Sequence, residues 1–195
     1  YTPPALGGNI IRPGWSGGAN WWGAAFDPET ARLYVPSWAH FSFVVMEPGD
    51  ASSDMTIRPR VSNLPGPQGL PLFKPPYSQL VALDMNAGSR VWGVPLGDGP
   101  RRHDALRGLD LPPLGNYEKS GGPLLTKTLL FIGQGIESKS LRVFDKDTGY
   151  EVFELELPAR SSSAPITYMA AGTQYIVLAI GGGGATAQLI GLALR

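Results

Sequence analysis

The segment Val81-Ala82-Leu83-Asp84-Met85-Asn86-Ala87-Gly88-Ser89-Arg90-Val91-Trp92 decides the fold. It places a glycine four residues after an Asp and a Trp eight residues after it. The same plan recurs at Val143-Phe144-Asp145-Lys146-Asp147-Thr148-Gly149-Tyr150-Glu151-Val152-Phe153, with Phe153 in the place of the Trp. A weaker copy, Ala25-Phe26-Asp27-Pro28-Glu29-Thr30-Ala31-Arg32-Leu33-Tyr34-Val35, has Ala31 for the glycine. The copies recur about every 60 residues, a period of repeat architectures. Ahead of the Asp, Leu141, Arg142 and Val143 alternate apolar, polar, apolar, which is the pattern of a half-buried strand. Asp, Asn and Thr then offer acceptors to turn amides, and Gly88 and Gly149 can take positive φ without a Cβ penalty. A second strand follows and ends in an aromatic able to pack on a neighbouring unit.

Other strands flank these hairpins: Leu129–Gly133 before the later one, Tyr175–Ile180 and Gln188–Leu194 after it. Four strands per repeat is the unit of a propeller blade. The fold expected is all-β: about three four-stranded antiparallel blades, joined by long Pro- and Gly-rich loops at about residues 40–79 and 95–123. Three blades cannot close a ring, and open edges invite association. Residues 1–195 therefore read as the C-terminal portion of a single, larger propeller domain, and the start at Tyr1 agrees with a piece.

Composition sets the outer limits. With 26 Gly and 19 Pro in 195 residues, a helical bundle is excluded, because both disfavour helix interiors. The 43% hydrophobic content suffices for a core and argues against disorder. Sixteen Lys+Arg balance sixteen Asp+Glu, so no net field recruits nucleic acid. The absence of Cys removes disulfides, thiolate metal sites and cysteine nucleophiles. No opening signal peptide is visible, and apolar runs such as Ile176–Ile180 are far shorter than a membrane helix.

Few residues suggest chemistry. Gly182, Gly184 and Ala187 fit G-x-G-x-x-A, but no room remains for the helix, strand and acid of a dinucleotide site. The run Gly181-Gly182-Gly183-Gly184 instead suits a hairpin loop or the close approach of a flat ligand. Gly122-Pro123-Leu124-Leu125-Thr126-Lys127-Thr128 lacks the second glycine of a P-loop. His103 reads as part of a solvated loop and His40 as packed beside Trp38 and Phe41; two isolated histidines make no metal centre. The densest unusual cluster is Trp15-Ser16-Gly17-Gly18-Ala19-Asn20-Trp21-Trp22-Gly23. Its indoles could stack on a planar ligand and its Asn could orient a carbonyl, or the aromatics could pack between blades.

In order along the chain, these stretches resemble the pyrroloquinoline-quinone (PQQ) dependent dehydrogenases, the membrane-bound glucose/quinate type above all. The resemblance is carried by Tyr1-Thr2-Pro3-Pro4, Pro13-Gly14, Gly17-Gly18-Ala19-Asn20-Trp21 and Ala25–Thr30. It continues through Ala82-x-Asp84 with Gly88 and Trp92, similar to that family's tryptophan-docking repeat. Gly121–Leu124, Leu130–Gly133, Leu141–Asp145, Ala164–Tyr168, Gln174–Val177 and the glycines from Gly181 complete it. The resemblance implies an eight-bladed quinoprotein propeller with PQQ on its axis, held by Ca²⁺. It also implies oxidation of a sugar, polyol or related alcohol in the periplasm, with ubiquinone or a cytochrome as acceptor. Attachment to the inner membrane would come through an N-terminal region outside this chain. On that pattern Asn20 meets the quinone edge, Trp21 caps the site, and the backbone of Gly181 and Gly182 closes it. The catalytic base and the calcium carboxylates would lie upstream, leaving no metal ligand here and this chain inactive alone. Three departures stand out: Trp22 where the family usually has Gly, Gly183 and Gly184 where glucose-type enzymes carry a His, and Phe153 for a docking Trp. Two other readings of the residues remain: a non-catalytic propeller for protein interaction, and a self-contained carbohydrate-binding β-domain.

Overall fold

The computed structural model describes residues 2–52, 54–135 and 138–193. Tyr1 of the opening motif, Ser53 of the polar cluster after Gly49, and Leu194 and Arg195 lie outside the described residues. The strands are β1 (Asn9–Ile11), β2 (Ala25–Asp27), β3 (Arg32–Trp38), β4 (Ser42–Pro48), β5 (Ile57–Ser62), β6 (Ser78–Asp84) and β7 (Ser89–Pro95), followed by β8 (Ser120–Leu125), β9 (Leu129–Gln134), β10 (Ser140–Asp145), β11 (Glu151–Glu156), β12 (Ile166–Ala170), β13 (Thr173–Gly182) and β14 (Ala185–Ala193). The chain divides into two compact units, residues 1–18 with 39–74 and residues 19–38 with 75–195.

The larger unit holds three antiparallel sheets, ordered β2-β3-β6-β7, β8-β9-β10-β11 and β12-β13-β14. The first two are four-stranded meanders, as expected of blades; the third has three strands. Strand alternation decides how they stack. Tyr34, Leu80 and Ala82 of the first sheet pack on Leu130, Ile132 and Phe144 of the second. Leu141 faces the other way and packs with Leu178 and Ile180 of the third. Strand β10 is thus buried on both faces, and each such aliphatic side chain contributes about 1.5–3 kcal/mol.

The D-x-x-x-G turns close as their sequence dictates. Asp84 Oδ1 accepts from the amides of Asn86 (2.8 Å) and Ala87 (2.9 Å), and Asp145 Oδ1 from those of Asp147 (3.1 Å) and Thr148 (2.9 Å). Gly88 and Gly149 have φ of 64° and 74°. Ala31, the substitute in the weak copy, is forced to φ 52°. The Trp92 indole lies on the Gly149 turn, and its Nε1 donates to the Lys146 carbonyl at 3.1 Å. Beside it, Lys146 Nζ and Asp27 Oδ2 form a buried ion pair at 2.6 Å. That bond holds the Asp27 carboxyl down at about 2, with Thr30 and the Glu29 amide as further donors, against the opposing effect of burial.

Two expectations change. The copies do not mark successive blades: those around Asp27 and Asp84 share one sheet, in which β3 pairs with β6, and the β12–β14 sheet has no such hairpin. The stretch 40–79 is not simply loop. It carries β4 and β5, which with β1 make the three-stranded sheet of the smaller unit, ordered β1-β4-β5. There His40 is buried, stacked on Phe41 at 6.1 Å with Nε2 3.0 Å from Asn63 Oδ1, the packed role its neighbours suggested. Residues 95–123 are mostly loop, with two short 3-10 turns before β8 begins. His103 caps the second by accepting from the Ala105 amide at Nδ1, 3.1 Å.

Candidate functional site

Antiparallel alternation puts the start of β2, the end of β3 and the end of β7 at one end of the first sheet. By the same rule the start of β8 and the end of β9 share one end of the second sheet, and the end of β13 and the start of β14 one end of the third. Close backbone approaches join these ends. A Cβ on Gly122, in β8, would sit 2.0 Å from the Trp22 carbonyl oxygen, and one on Gly121 2.5 Å from the Ser163 carbonyl oxygen. Only glycine permits those approaches. The connection from β11 to β12 then ties β9 to β13: the Ser161 amide donates to the Gln134 carbonyl (3.3 Å), and the Gly181 amide to the Arg160 carbonyl (2.9 Å).

The candidate residues sit along this seam. Asn20 opens a turn closed by the Gly23 amide on its carbonyl (3.0 Å), and its Oδ1 accepts from the Trp21 amide (2.7 Å). The turn aims Trp21 outward, and its side chain is 99% exposed. Within this chain it packs on no neighbouring sheet. Gly181 and Gly182 end β13 at a register shift, with φ of 152° and 84°. A Cβ on Gly182 would meet nothing within 4 Å, so a flat group could lie directly against that backbone. Asn20 and Trp21, like Gly181 and Gly182, are neighbours along the chain, so what the structure adds is the link between the two pairs. The two pairs are linked through Trp22, Gly122 and the 160–164 connection. Trp15, grouped with them in the sequence, belongs to the smaller unit.

Three features would suit an anionic planar cofactor such as PQQ: the exposed Trp21 indole, the open Gly182 backbone, and, among the described residues, cations without carboxylate partners. The Arg160 guanidinium lies against Gly183, where a Cβ would be 2.5 Å from it, and pairs with no carboxylate among the described residues. Calcium is a different matter. Among the described residues, no group of three or more His, Asp or Glu could hold a metal ion.

Several residues at this end were missed by sequence reasoning. Lys119, just before β8, holds its ammonium 5.2 Å from the Trp22 ring centroid and 5.5 Å from that of Trp38. Tyr117 meets Trp38 and Tyr77 edge-on, at 5.9 and 5.7 Å. Burial raises the Tyr77 hydroxyl above its ordinary pKa. No spacing rule links residues 22, 38 and 119; only the fold does. Nearby is a buried polar network. Gln134 Oε1 accepts from Arg142 Nε (2.7 Å), Ser138 Oγ (3.2 Å) and Asn116 Nδ2 (3.3 Å). Arg142 also forks onto Glu151 (2.7 and 2.8 Å) and reaches Glu154 (2.7 Å). Burial pushes the Glu151 carboxyl up, against the pull of Arg142. Asn116, Arg142 and Glu154 line a cavity of about 690 Å³, which none of the four candidate residues lines.

Comparison with known proteins gives this geometry its context. The family model for the glucose/ethanol/alcohol dehydrogenase β-propeller domain, of the PQQ type, matches residues 1–176. A probable quinate dehydrogenase (quinone) of Xanthomonas campestris pv. juglandis is 30% identical over 93% of this chain and 26% of its own length. The quinoprotein glucose dehydrogenase of Escherichia coli K12 is 26% identical over 98% of this chain and 27% of its own. The glycerol dehydrogenase large subunit of Gluconobacter thailandicus is 28% identical over 93% and 28%. This chain thus spans about a quarter of the length of these relatives. Among solved structures, the quinohemoprotein alcohol dehydrogenase of Comamonas testosteroni matches with a TM-score of 0.63 at 22% identity, over 89% of this chain and 24% of that one, a likeness of fold. With stacked antiparallel sheets and a family match over most of its length, the chain belongs to the PQQ-dependent dehydrogenase β-propeller family.

Proposed function

We propose that this chain is part of a PQQ-dependent dehydrogenase that oxidises a sugar, polyol or related alcohol and passes the electrons to a quinone or a cytochrome. Trp21 carries the reading: an indole 99% exposed, beside a seam of close-packed glycines, is not used for packing within this chain and offers a face to a planar ligand. The names of the relatives, which include quinate, glycerol and glucose dehydrogenases, support the substrate class. When bound, PQQ supplies the hydride acceptor. Asn20 presents its amide to the cofactor edge, Trp21 shields one side from water, and Gly181 and Gly182 let the cofactor approach the backbone. Calcium and the catalytic base come from residues outside this chain, so the chain by itself is inactive. The remainder of the propeller completes the site in the periplasm, with attachment to the inner membrane supplied elsewhere in the protein. Trp92, seated on the Gly149 turn, acts as a docking residue between blades.

The test is reconstitution of the full-length protein with PQQ and Ca²⁺, assayed with a dye acceptor against sugars, polyols and quinate. Activity that requires both additions is expected. No activity, together with no quenching of protein fluorescence by PQQ, would leave a non-catalytic propeller instead.

A further inference from the structure

We propose that Lys119 recognises a carboxylate on the substrate, so that the preferred substrate is a carboxylated polyol rather than a neutral one. The inference rests on the dehydrogenase reading above. Lys119 is half-buried, and its ammonium lies over two indoles, Trp22 and Trp38. Ring faces attract a cation, but they do not accept its three N–H donors as a carboxylate does. Among the described residues Lys119 forms no ion pair and no hydrogen bond. The adjacent carboxylate, Glu118, is engaged elsewhere: its Oε1 accepts from Asn116 Nδ2 at 3.1 Å and lies 3.5 Å from the Ser138 amide.

A partly desolvated cation with unused donors is a receptor for an anion. Its position says which anion. Trp22, which flanks Lys119, follows Trp21 directly, and its carbonyl rests on Gly122 of β8, the strand that Lys119 leads into. The ammonium therefore rests on the ring of the residue that follows Trp21 in that turn. The two indoles restrict its reach, so it can select by charge without the entropy cost of ordering a free lysine. Arg160, on the other side of the seam against Gly183, is available to the carboxylates of the cofactor, which leaves Lys119 for the substrate.

The experiment compares the PQQ- and Ca²⁺-loaded full-length enzyme with its Lys119→Met and Lys119→Arg variants. Quinate serves as the carboxylated probe and glycerol as the neutral one. In Lys119→Met the ratio of kcat/KM for quinate to that for glycerol should fall about tenfold or more, chiefly through KM, and Lys119→Arg should recover part of it. Independently of turnover, quinate should perturb the fluorescence of Trp22 and Trp38 in the wild-type enzyme and fail to do so in Lys119→Met. An unchanged ratio in either folded variant overturns the proposal. So does a wild-type enzyme that oxidises glycerol but not quinate, or a variant whose main defect is weakened PQQ binding; in both cases the dehydrogenase reading survives. No PQQ-dependent oxidation of any alcohol would remove that reading and this one together.

Discussion

A methyl group added at Gly149 would lie 2.7 Å from the Trp92 ring, whereas one at Gly88 would meet nothing within 4 Å, although both glycines have positive φ. The two positions look identical in the sequence, so their difference is purely one of packing. Gly88→Ala should cost about 1 kcal/mol from backbone strain alone. Gly149→Ala adds overpacking and should cost about 2–4 kcal/mol, read from denaturant melts. The Asp27–Lys146 pair is the other residue-scale test. Each residue occupies a hairpin recognised in the sequence, but nothing in the spacing says that they meet. Lys146→Met would leave the Asp27 carboxylate buried without its partner, at a cost of about 3–5 kcal/mol. Because the Asp27 carboxyl is lowered from 3.8 to about 2, its stabilisation is full above 3.8 and is lost as the pH falls through 2. Melting temperatures measured from pH 5 to pH 2 should fall more steeply for the wild type than for Asp27→Asn, which is less stable at pH 5 but has no such titration to lose.

The hairpin as an element was legible because its chemistry is local: an Asp acceptor, a glycine four residues on, alternation on either side. Which sheet each hairpin joins was not legible. That depends on β3 pairing with β6 across an intervening segment, and on apolar faces that β10 presents to two neighbours at once. The aromatic that ends each hairpin shows the same limit. Trp92 is half-buried on the next turn, with a hydrogen bond from its Nε1. Phe153, at the matching offset, is 58% exposed and lines an apolar cleft of about 530 Å³ beside β13 and β14. Trp92→Ala should therefore destabilise by about 3 kcal/mol, and Phe153→Ala by less than about 1 kcal/mol. Equal losses in thermal melts would show that Phe153 is covered in the complete protein.

At the scale of the whole molecule, the candidate site was half legible. Asn20, Trp21 and the Gly181–Gly182 pair were candidates from a family resemblance, because their motifs are contiguous. Lys119 and its indoles were not, because the residues come from three distant points of the chain. If the seam is where the cofactor rests, Asn20→Ala should weaken PQQ retention in the full-length protein about tenfold, measured by fluorescence quenching. Unchanged retention and turnover would take Asn20 out of the site. The insertion between β3 and β6 has a further consequence. Trp38 pairs with Ser78, so the chain leaves the sheet and returns to it at a single rung. The closure entropy of such an excursion rises by only about 0.6 kcal/mol for each doubling of its length. Residues 39–74 can thus lengthen, shorten or be replaced over evolutionary time while the blade keeps its register, whereas Tyr77 stays tied to Leu114 and Tyr117. The architecture lets new surface be tried without reopening the question of how the sheet folds.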